Sequence, residues 1–164
     1  MTKAQINKMC EFAKEQVSNF SCYAWGFQGE RLYDTTLGKL YEMETSKNNV
    51  RRIVDLVCKR IDSNINMEHS RLYDCSGLVC KAMEYADIVK KGYDNTADGI
   101  YRNCTKKNIS DIKKGDFLFK VNDNGKATHI GIYNGKNVIE AKGRDYGVCI
   151  GKVSDFNKAG VFNG

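Results

Sequence analysis

The hydrophobic periodicity of the chain changes once, near Ile109, and this change limits the folds open to it. Before Ile109 apolar residues recur at the three- and four-residue spacing of amphipathic helices. After it they form short alternating or apolar runs. The first pattern is typical of helices and the second of strands. Helices followed by strands predict an α+β domain in which the helices pack on an antiparallel sheet.

Three amphipathic helices are predicted, each behind a capping residue. Thr2 and Gln5 have the spacing of a capping box, and Ser46 and Asp74 are the other two N-caps. Cys75 lies one turn before the apolar stripe of the third helix and on the same side, so it points toward whatever this helix packs on. The three stripes are Ile6, Met9, Cys10, Ala13 and Val17; Val50, Ile53, Val54, Val57 and Ile61; and Leu78, Val79, Ala82, Met83 and Ala86.

Strands are predicted at 117–121, 128–133, 137–141, 148–153 and 161–162. The second and third flank Asn134-Gly135, the pair favoured in a two-residue type I′ hairpin turn. This turn would place His129 directly opposite Glu140 on one face, about 5.5 Å apart between Cα atoms. A glutamate at that distance can accept a hydrogen bond from an imidazole. The other face, with Thr128, Ile130, Ile132, Ile139 and Ala141, resembles core, and Gly131 would leave room for a substrate or another backbone.

A cysteine at the start of a helix suits nucleophilic chemistry. Its unperturbed thiol, with a pKa near 8.5, is only about 3% thiolate at pH 7. The free N–H groups of a helix N-terminus and a neighbouring imidazolium can lower that pKa to about 3.5–7.5, and the same N–H groups can stabilise an oxyanion. The sequence therefore predicts Cys75 as nucleophile, His129 as base and Glu140 as the residue that orients the histidine. Ser76 and Gly77, both small, allow a substrate to approach.

The composition fits one globular domain over residues 1–164. The chain carries a net charge of +6, which favours an anionic partner such as nucleic acid, an anionic membrane or a cell wall. The basic doublets are spread along the chain without a basic stripe interleaved with aromatic residues, so no nucleic-acid partner is expected. No apolar run at the start resembles a signal peptide or a membrane span, so we expect neither export by that route nor membrane insertion.

Seven cysteines, an odd number without paired spacings, predict free thiols rather than disulfides or a zinc site. Cys10, Cys22, Cys58 and Cys80 are interpreted as small core residues. His69 is the only other histidine, and we expect it at the surface because no carboxylate is placed to orient it. No metal or other cofactor is expected, and a monomer is the simplest state.

The runs YDCSGLV, DIKKGDFLF and THIGIYNGKNVIEAKG, in this order, resemble the NlpC-type cell-wall peptidases, a papain-like superfamily of bacteria and their phages. The resemblance extends from about Ser21 to the end of the chain. It implies the NlpC-type fold, with Cys75 as nucleophile in DCSG, His129 as base in THIGIY and Glu140 as the third polar residue on the following strand. The family commonly has histidine at this third position, and glutamate is nearer to the usage of related phage amidases and endopeptidases.

The segment CYAWG resembles an upstream Tyr-x-Trp-Gly segment of the same family. The resemblance implies that Tyr23 lies beside the thiol, where it helps to bind the substrate or the oxyanion, and that Trp25 lines the cleft. Asp74 and Ser76, on either side of the nucleophile, complete the expected substrate-binding set. The interval before Asp74 is longer than in compact members, which predicts a helical insertion at about 34–66 that either shapes one cleft wall or serves packing alone.

The function implied by this resemblance is hydrolysis of peptide bonds in the stem or cross-bridge peptides of bacterial peptidoglycan, through a cysteine thioester. An amidase that releases the stem from muramic acid, or an acyl or peptidyl transferase, would use the same triad. A wall hydrolase made in the cytoplasm without a signal peptide would reach the wall after lysis or as part of a phage particle, so a phage or prophage lysin is expected.

Overall fold

Five helices and nine strands make up residues 1–163, which the computed structural model describes; Gly164 lies outside the described residues. The helices are α1 (Lys3–Ser18), α2 (Leu37–Met43), α3 (Lys47–Asp62), α4 (Cys75–Tyr85) and α5 (Ala97–Arg102). The strands are β1 (Cys22–Tyr23), β2 (Gln28–Arg31), β3 (Arg71–Tyr73), β4 (Cys104–Lys107), β5 (Phe117–Val121), β6 (Ala127–Tyr133), β7 (Val138–Gly143), β8 (Gly147–Gly151) and β9 (Lys158–Phe162). In this part of the chain no helix has both the length and the apolar character needed to cross a bilayer.

The three helices predicted from the sequence begin behind their predicted caps. Thr2 and Gln5 form both hydrogen bonds of the capping box, at 3.2 and 2.9 Å. The hydroxyl of Ser46 accepts a hydrogen bond from a backbone N–H in the first turn of α3, and Asp74 does the same for α4. Because these side chains satisfy N–H groups that no helical carbonyl can reach, they fix where each helix starts.

The main sheet has six strands in the order β4-β9-β5-β6-β7-β8, and every neighbouring pair is antiparallel. This confirms the predicted α+β class with an antiparallel sheet. Helix α4 packs on β6 and β7, and α1 packs on α4. Their apolar stripes and the inner face of the sheet form one buried core that includes Leu78, Met83, Ile130 and Phe117.

The loop between β6 and β7 is longer than the Asn-Gly pair predicted. Tyr133 pairs with Val138 rather than with Lys136, so the loop contains four residues instead of two. The reason lies in the side chain of Asn134, whose Oδ1 accepts hydrogen bonds from the backbone N–H groups of Lys136 and Asn137 at 3.0 and 2.9 Å. These side-chain bonds close a wider turn than the type I′ turn.

The predicted register of this hairpin was therefore wrong by two residues. Continuing the observed register places Glu140 opposite Gly131. The room predicted at Gly131 for a substrate or another backbone is absent, because the side chains of Val138 and Glu140 occupy it. A shift of two residues keeps side chains on their original face because strand side chains alternate with a period of two. Glu140 and His129 consequently still share one face, as diagonal rather than direct neighbours.

The prediction that Thr128 lies on the core face of β6 was also wrong, because this residue is exposed. The pairing of β5 with β6 shifts between Lys120 and Val121, with Lys120 opposite His129 and Val121 opposite Ala127. This β-bulge leaves Thr128 unpaired and turns Ala127 into the core instead.

A second, smaller core lies beside the first. The short strands form a mixed sheet in the order β1-β3-β2, which the sequence analysis did not predict. Helices α2 and α3 cover it, with Phe27, Leu40, Ile53 and Leu72 buried between them. These helices occupy most of the segment 34–66, and its status as an insertion stays a prediction.

Candidate active site

Cys75 is the first residue of α4, and its side chain is buried at 8% exposure between the helix and the sheet. Asp74 caps the helix, with Oδ1 2.6 Å from the backbone nitrogen of Gly77. A side chain at Gly77 would collide with the carbonyl of Phe27, so only glycine lets the start of the helix approach the β1–β2 connection this closely. The chain thus holds the sulfur at one fixed point beside β6.

Burial, with a smaller contribution from the charge of Asp74, raises the pKa of the Cys75 thiol to about 12. The backbone N–H groups of Ile130, Ser76 and Cys75 itself oppose this shift. The N–H groups at the helix N-terminus lower this pKa, as predicted, but desolvation outweighs them and the net shift is upward. A thiol of this kind is protonated at neutral pH and needs a base to take its proton as it attacks.

His129 is the residue predicted to act as that base. It directly precedes Ile130, whose backbone N–H lowers the pKa of Cys75, so the strand that carries His129 passes beside the sulfur. Nε2 of His129 lies 2.6 Å from Oε2 of Glu140. Because a carboxylate only accepts hydrogen bonds, Nε2 carries the proton in this pair, and Nδ1 is left free to accept another. The ring of Phe156 stacks on the imidazole, with centroids 5.8 Å apart.

Glu140 is completely buried. Its second oxygen, Oε1, has no hydrogen-bond partner within residues 1–163, and Lys142 Nζ lies 3.8 Å away. Lys142 also forms an ion pair with Asp155 at 3.2 Å. The lysine offsets part of the charge of a carboxylate that would otherwise be costly to bury.

Gly151 makes the space that the Glu140 carboxylate occupies, since a Cβ there would collide with Oε1. We expect Gly151→Ala to push the carboxylate away from His129, lowering turnover about 10- to 100-fold and stability by about 1–3 kcal/mol. Steady-state kinetics and thermal unfolding measure the two effects. Gly38→Ala is the matched control, because its Cβ would meet nothing nearer than 3.7 Å. Turnover in Gly151→Ala equal to that of Gly38→Ala would contradict this account.

Tyr23 is the last residue of β1, and Trp25 lies in the loop after it, which a hydrogen bond from Gly26 to Asp74 joins to the start of α4. The ring of Tyr23 is buried, and the charges of Cys75, Arg144 and Asp74 all influence its pKa, which burial raises. Tyr23 therefore keeps its proton and remains a hydrogen-bond donor beside the thiol. Trp25 is 52% exposed and offers a ring at the surface of the same region.

Two residues of this region, Glu44 and Arg144, were missed by the sequence analysis. Glu44 is buried at the end of α2, where its Oε1 accepts a hydrogen bond from the Trp25 backbone N–H at 2.9 Å. Its Oε2 accepts from both Nε and Nη2 of Arg144, at 2.9 and 2.6 Å. The Arg144 guanidinium lies over the Tyr23 ring, 5.1 Å from its centroid. The pair joins α2 to the β7–β8 connection across 100 residues of sequence, so no local sequence pattern could predict it.

Asp74 and Ser76, predicted to bind substrate, are engaged with each other. The hydroxyl of Ser76 donates to Oδ1 of Asp74 at 3.0 Å, and Oδ2 accepts from the Gly26 backbone N–H at 3.0 Å. The carboxylate thus fixes both the helix start and the loop after Trp25. Its direct contact with a substrate stays a prediction.

Neutralising Asp74 should make the nucleophile easier to ionise. The charge of Asp74 raises the pKa of the Cys75 thiol, so Asp74→Asn removes that contribution and the pKa falls. We expect the pH dependence of Cys75 alkylation by iodoacetamide to move to lower pH, with the site of modification read by mass spectrometry. Asp87→Asn, an exposed carboxylate at the far end of α4, is the control. An unchanged profile, or a shift to higher pH, would show that the charge of Asp74 does not control the thiol.

The remaining sequence candidates lie outside this site. His69 is exposed, and it lines a different cleft. All seven cysteines are free, but Cys58 is exposed on α3, so its interpretation as a core residue was wrong. Cys10, Cys22 and Cys80 are buried as predicted.

The chain matches the model of the NlpC/P60 family over residues 65–158. The matched segment includes Cys75, His129 and Glu140, and it begins after Tyr23, Trp25 and the α2–α3 pair. The comparison with curated proteins gave no match.

Solved structures give a similar result for the fold. The peptidoglycan hydrolase RipB from Mycobacterium tuberculosis superposes with a TM-score of 0.56 at 16% identity, over 98% of this chain and 68% of that one. The NlpC/P60 domain of the peptidoglycan hydrolase SagA has a TM-score of 0.45 at 24% identity, over 68% of this chain and 97% of the other. An NlpC/P60 family protein from Bacillus cereus has a TM-score of 0.45 at 22% identity, over 55% of this chain but only 32% of its own length. Because the family model matches more than half of this chain, the chain belongs to the NlpC/P60 family.

Proposed function

We propose that this protein is a peptidoglycan hydrolase that cleaves peptide bonds of the stem or cross-bridge peptides through a thioester on Cys75. The observation that carries the proposal is the 2.6 Å contact between His129 Nε2 and Glu140 Oε2, on a strand whose next residue, Ile130, directs its backbone N–H at the cysteine of a helix N-terminus. Family membership supports it, and two structurally similar proteins, RipB and SagA, are described as peptidoglycan hydrolases.

The first half of the proposed reaction forms the thioester. Nδ1 of His129 takes the proton of the Cys75 thiol while the sulfur attacks the carbonyl carbon of the scissile bond. The carbonyl π electrons move to the oxygen, and the backbone N–H groups at the start of α4 stabilise the resulting oxyanion. When the tetrahedral intermediate collapses, the C–N bond breaks and the imidazolium gives its proton to the leaving amine.

The second half returns the enzyme to its starting state. Nδ1 takes a proton from a water molecule, whose oxygen attacks the thioester carbon. The C–S bond then breaks, the carboxylic acid product leaves, and the sulfur regains its proton from the imidazolium. Glu140 stays ionised throughout and stabilises the imidazolium that forms twice in each cycle.

The substrate cleft in this proposal lies between the two cores. Trp25, exposed beside the nucleophile, supplies an apolar surface for the peptide, and Tyr23 supplies a hydroxyl donor near the carbonyl that is attacked. Glu44 and Arg144 hold these two aromatic residues in place from α2 and from the β7–β8 connection. The segment 34–66 then acts as one wall of the cleft.

Mass spectrometry of soluble products tests the proposal directly. Purified peptidoglycan of several chemotypes is incubated with the parent protein and with Cys75→Ala. New amino termini within the peptides, formed only by the parent, are the expected result, and fragment masses identify the bond. Release of intact stems from muramic acid would indicate the amidase reaction, and adducts formed with added amines would indicate a transferase. If the parent releases nothing from any wall, the proposed substrate is wrong.

The route to the substrate is part of the proposal. We propose action on the wall after lysis or from within a phage particle, by a monomer. Fractionation of an induced culture before and after lysis, with size-exclusion chromatography of the protein, tests both statements.

A further inference from the structure

A second cleft, of about 500 Å³, is lined by none of the residues of the candidate active site. It is lined by α1, by β2 and β3, and by the C-terminal half of α4, where Lys81 and Tyr85 face it. Neither Cys75, His129 nor Tyr23 contributes to its lining. Lys81 follows Cys75 by six residues, a rise of about 9 Å along the helix. The reaction proposed above makes no use of this cleft.

The cleft contains a buried polar group with no partner. The hydroxyl of Tyr73 is inaccessible to solvent and forms no hydrogen bond within residues 1–163. Its ring lines the cleft next to Gly29, where a side chain would come within 3.2 Å of the hydroxyl oxygen. Burial raises the pKa of Tyr73, so the phenol keeps its proton and is a donor. A buried donor left unpaired costs about 1–3 kcal/mol, which suggests an acceptor from outside the chain.

The charged groups at the cleft favour an anion. Arg31, Arg71 and Lys81 line it, against the single carboxylate of Glu15. Arg71 donates from Nη1 to the Gly29 carbonyl at 2.6 Å, and its Nε and Nη2 have no acceptor within residues 1–163. A guanidinium fixed at one nitrogen and free at the others is prepared for a carboxylate or phosphate.

The cationic side chains differ in how strongly other carboxylates already engage them. Lys81 contacts Glu84 at 3.1 Å, and Arg31 lies 3.7 Å from Asp34 in a largely exposed pair. The exposed Arg31 pair contributes about 0–1 kcal/mol, so it does not hold Arg31 against a ligand. Lys81 is held more firmly, because the Glu84 side chain is only 17% exposed. Arg71 forms no ion pair within residues 1–163 and is therefore the main anion-binding group.

An aromatic surface borders the same cleft. Phe12 and Tyr85 lie with ring centroids 5.0 Å apart, and Tyr85 is 57% exposed. An exposed tyrosine ring together with an amide group, here that of Asn19, can hold the apolar face and the hydroxyls of a sugar or polyol. A cationic group next to such a surface fits a ligand that carries both a polyol and a negative charge.

We propose that this cleft is a binding site for an anionic carbohydrate or polyol, with its polyol against Tyr85 and its phosphate or carboxylate on Arg71. A small shift of the Tyr73 ring on binding then exposes its hydroxyl, which donates to the same anionic group. In a wall hydrolase such a site would bind an anionic polymer of the wall and raise the local concentration of substrate at Cys75. The binding itself does not depend on hydrolysis, so the site can be tested separately from the proposed function.

The test is an NMR titration of the parent protein with two small probes, glycerol 3-phosphate and glucuronic acid. We expect at least one probe to give saturable shifts of the Gly29 and Arg71 amides, with a dissociation constant on the order of 1 mM. Saturation by glycerol 3-phosphate alone assigns the site to phosphate-containing polymers, and saturation by glucuronic acid alone assigns it to acidic polysaccharides. If neither probe saturates below about 100 mM, a range far weaker than specific binding, the proposal is overturned.

Variants identify the groups responsible. Arg71→Gln should weaken binding about tenfold or more, as expected for a lost charge-assisted hydrogen bond. Arg51→Gln, the same change at an exposed arginine of α3 outside the cleft, should bind like the parent. Equal affinity in both variants would remove Arg71 from the site and contradict the proposal.

Tyr73→Phe gives a second, independent test, because it deletes only the unpaired hydroxyl. We expect affinity to fall about three- to tenfold while the thermal midpoint of the free protein stays the same or rises, since an unsatisfied buried group has been removed. A lower midpoint with unchanged affinity would show that the hydroxyl serves the fold and not a ligand, and would overturn its role here.

Discussion

Cys75→Ala is expected to lower the rate of peptidoglycan hydrolysis by a factor of about 10⁴ or more, the size of loss seen when a triad nucleophile is removed. The sulfur forms the covalent bond in both halves of the proposed reaction, and alanine offers nothing in its place. Stability should change by only about 1 kcal/mol, because a single buried atom is removed. Rates of muropeptide release and thermal unfolding curves measure the two quantities on the same samples.

Cys80→Ala is the control that distinguishes the loss of the nucleophile in Cys75→Ala from the loss of a packed sulfur atom. Cys80 is also buried on α4, and its thiol donates to the Asn95 carbonyl at 3.6 Å, so its removal disturbs the helix at least as much. This control should retain nearly full activity. Hydrolysis by Cys75→Ala at the rate of Cys80→Ala would show that another group is the nucleophile.

Glu140→Gln should reduce turnover about 10- to 1000-fold, in the range of general acid–base contributions. Glutamine can still accept a hydrogen bond from His129 Nε2, so the ring stays roughly in place. The negative charge that stabilises the imidazolium is lost, and this charge is needed at both proton transfers. Single-turnover rates of thioester formation, compared at saturating substrate, are the measurement.

Asp155→Asn is the matched control for this prediction. Asp155 is the other carboxylate that holds Lys142, at 3.2 Å, but it does not touch the histidine. If Asp155→Asn lost as much activity as Glu140→Gln, the loss in both variants would come from the disturbed ion pairs of Lys142 and not from the charge next to His129. If Glu140→Ala were as active as the parent, Glu140 would have no part in the reaction.

Local rules predicted those parts of the fold that local interactions determine. The caps Thr2, Ser46 and Asp74 each satisfy N–H groups within their own first turn, so a few residues of sequence contain the whole interaction. The strand at 117–121 is an apolar run, broken only by Lys120, between polar segments, and its predicted bounds are those of β5. The face shared by His129 and Glu140 follows from the alternation of side chains, which survives an error of two residues.

Features that depend on one particular side chain or on distant partners were not predicted. The wider β6–β7 turn depends on one side chain, Asn134, that prefers its own backbone contacts to the tight turn. The small β1-β3-β2 sheet joins segments some 50 residues apart, each only two to four residues long, too short to show a period. The pKa of Cys75 is set by burial beneath the sheet, which overrides the lowering expected from the helix terminus alone.

The raised pKa of Cys75 also determines how fast its sulfur reacts with oxidants. Peroxides react with the thiolate and convert it through sulfenic to irreversible sulfinic and sulfonic acids, whereas the protonated thiol reacts slowly. A protein that acts on a cell wall, as we propose here, works outside the reducing interior of the cell. We therefore expect a nucleophile that is buried and protonated between turnovers to be oxidised there more slowly than an exposed thiolate.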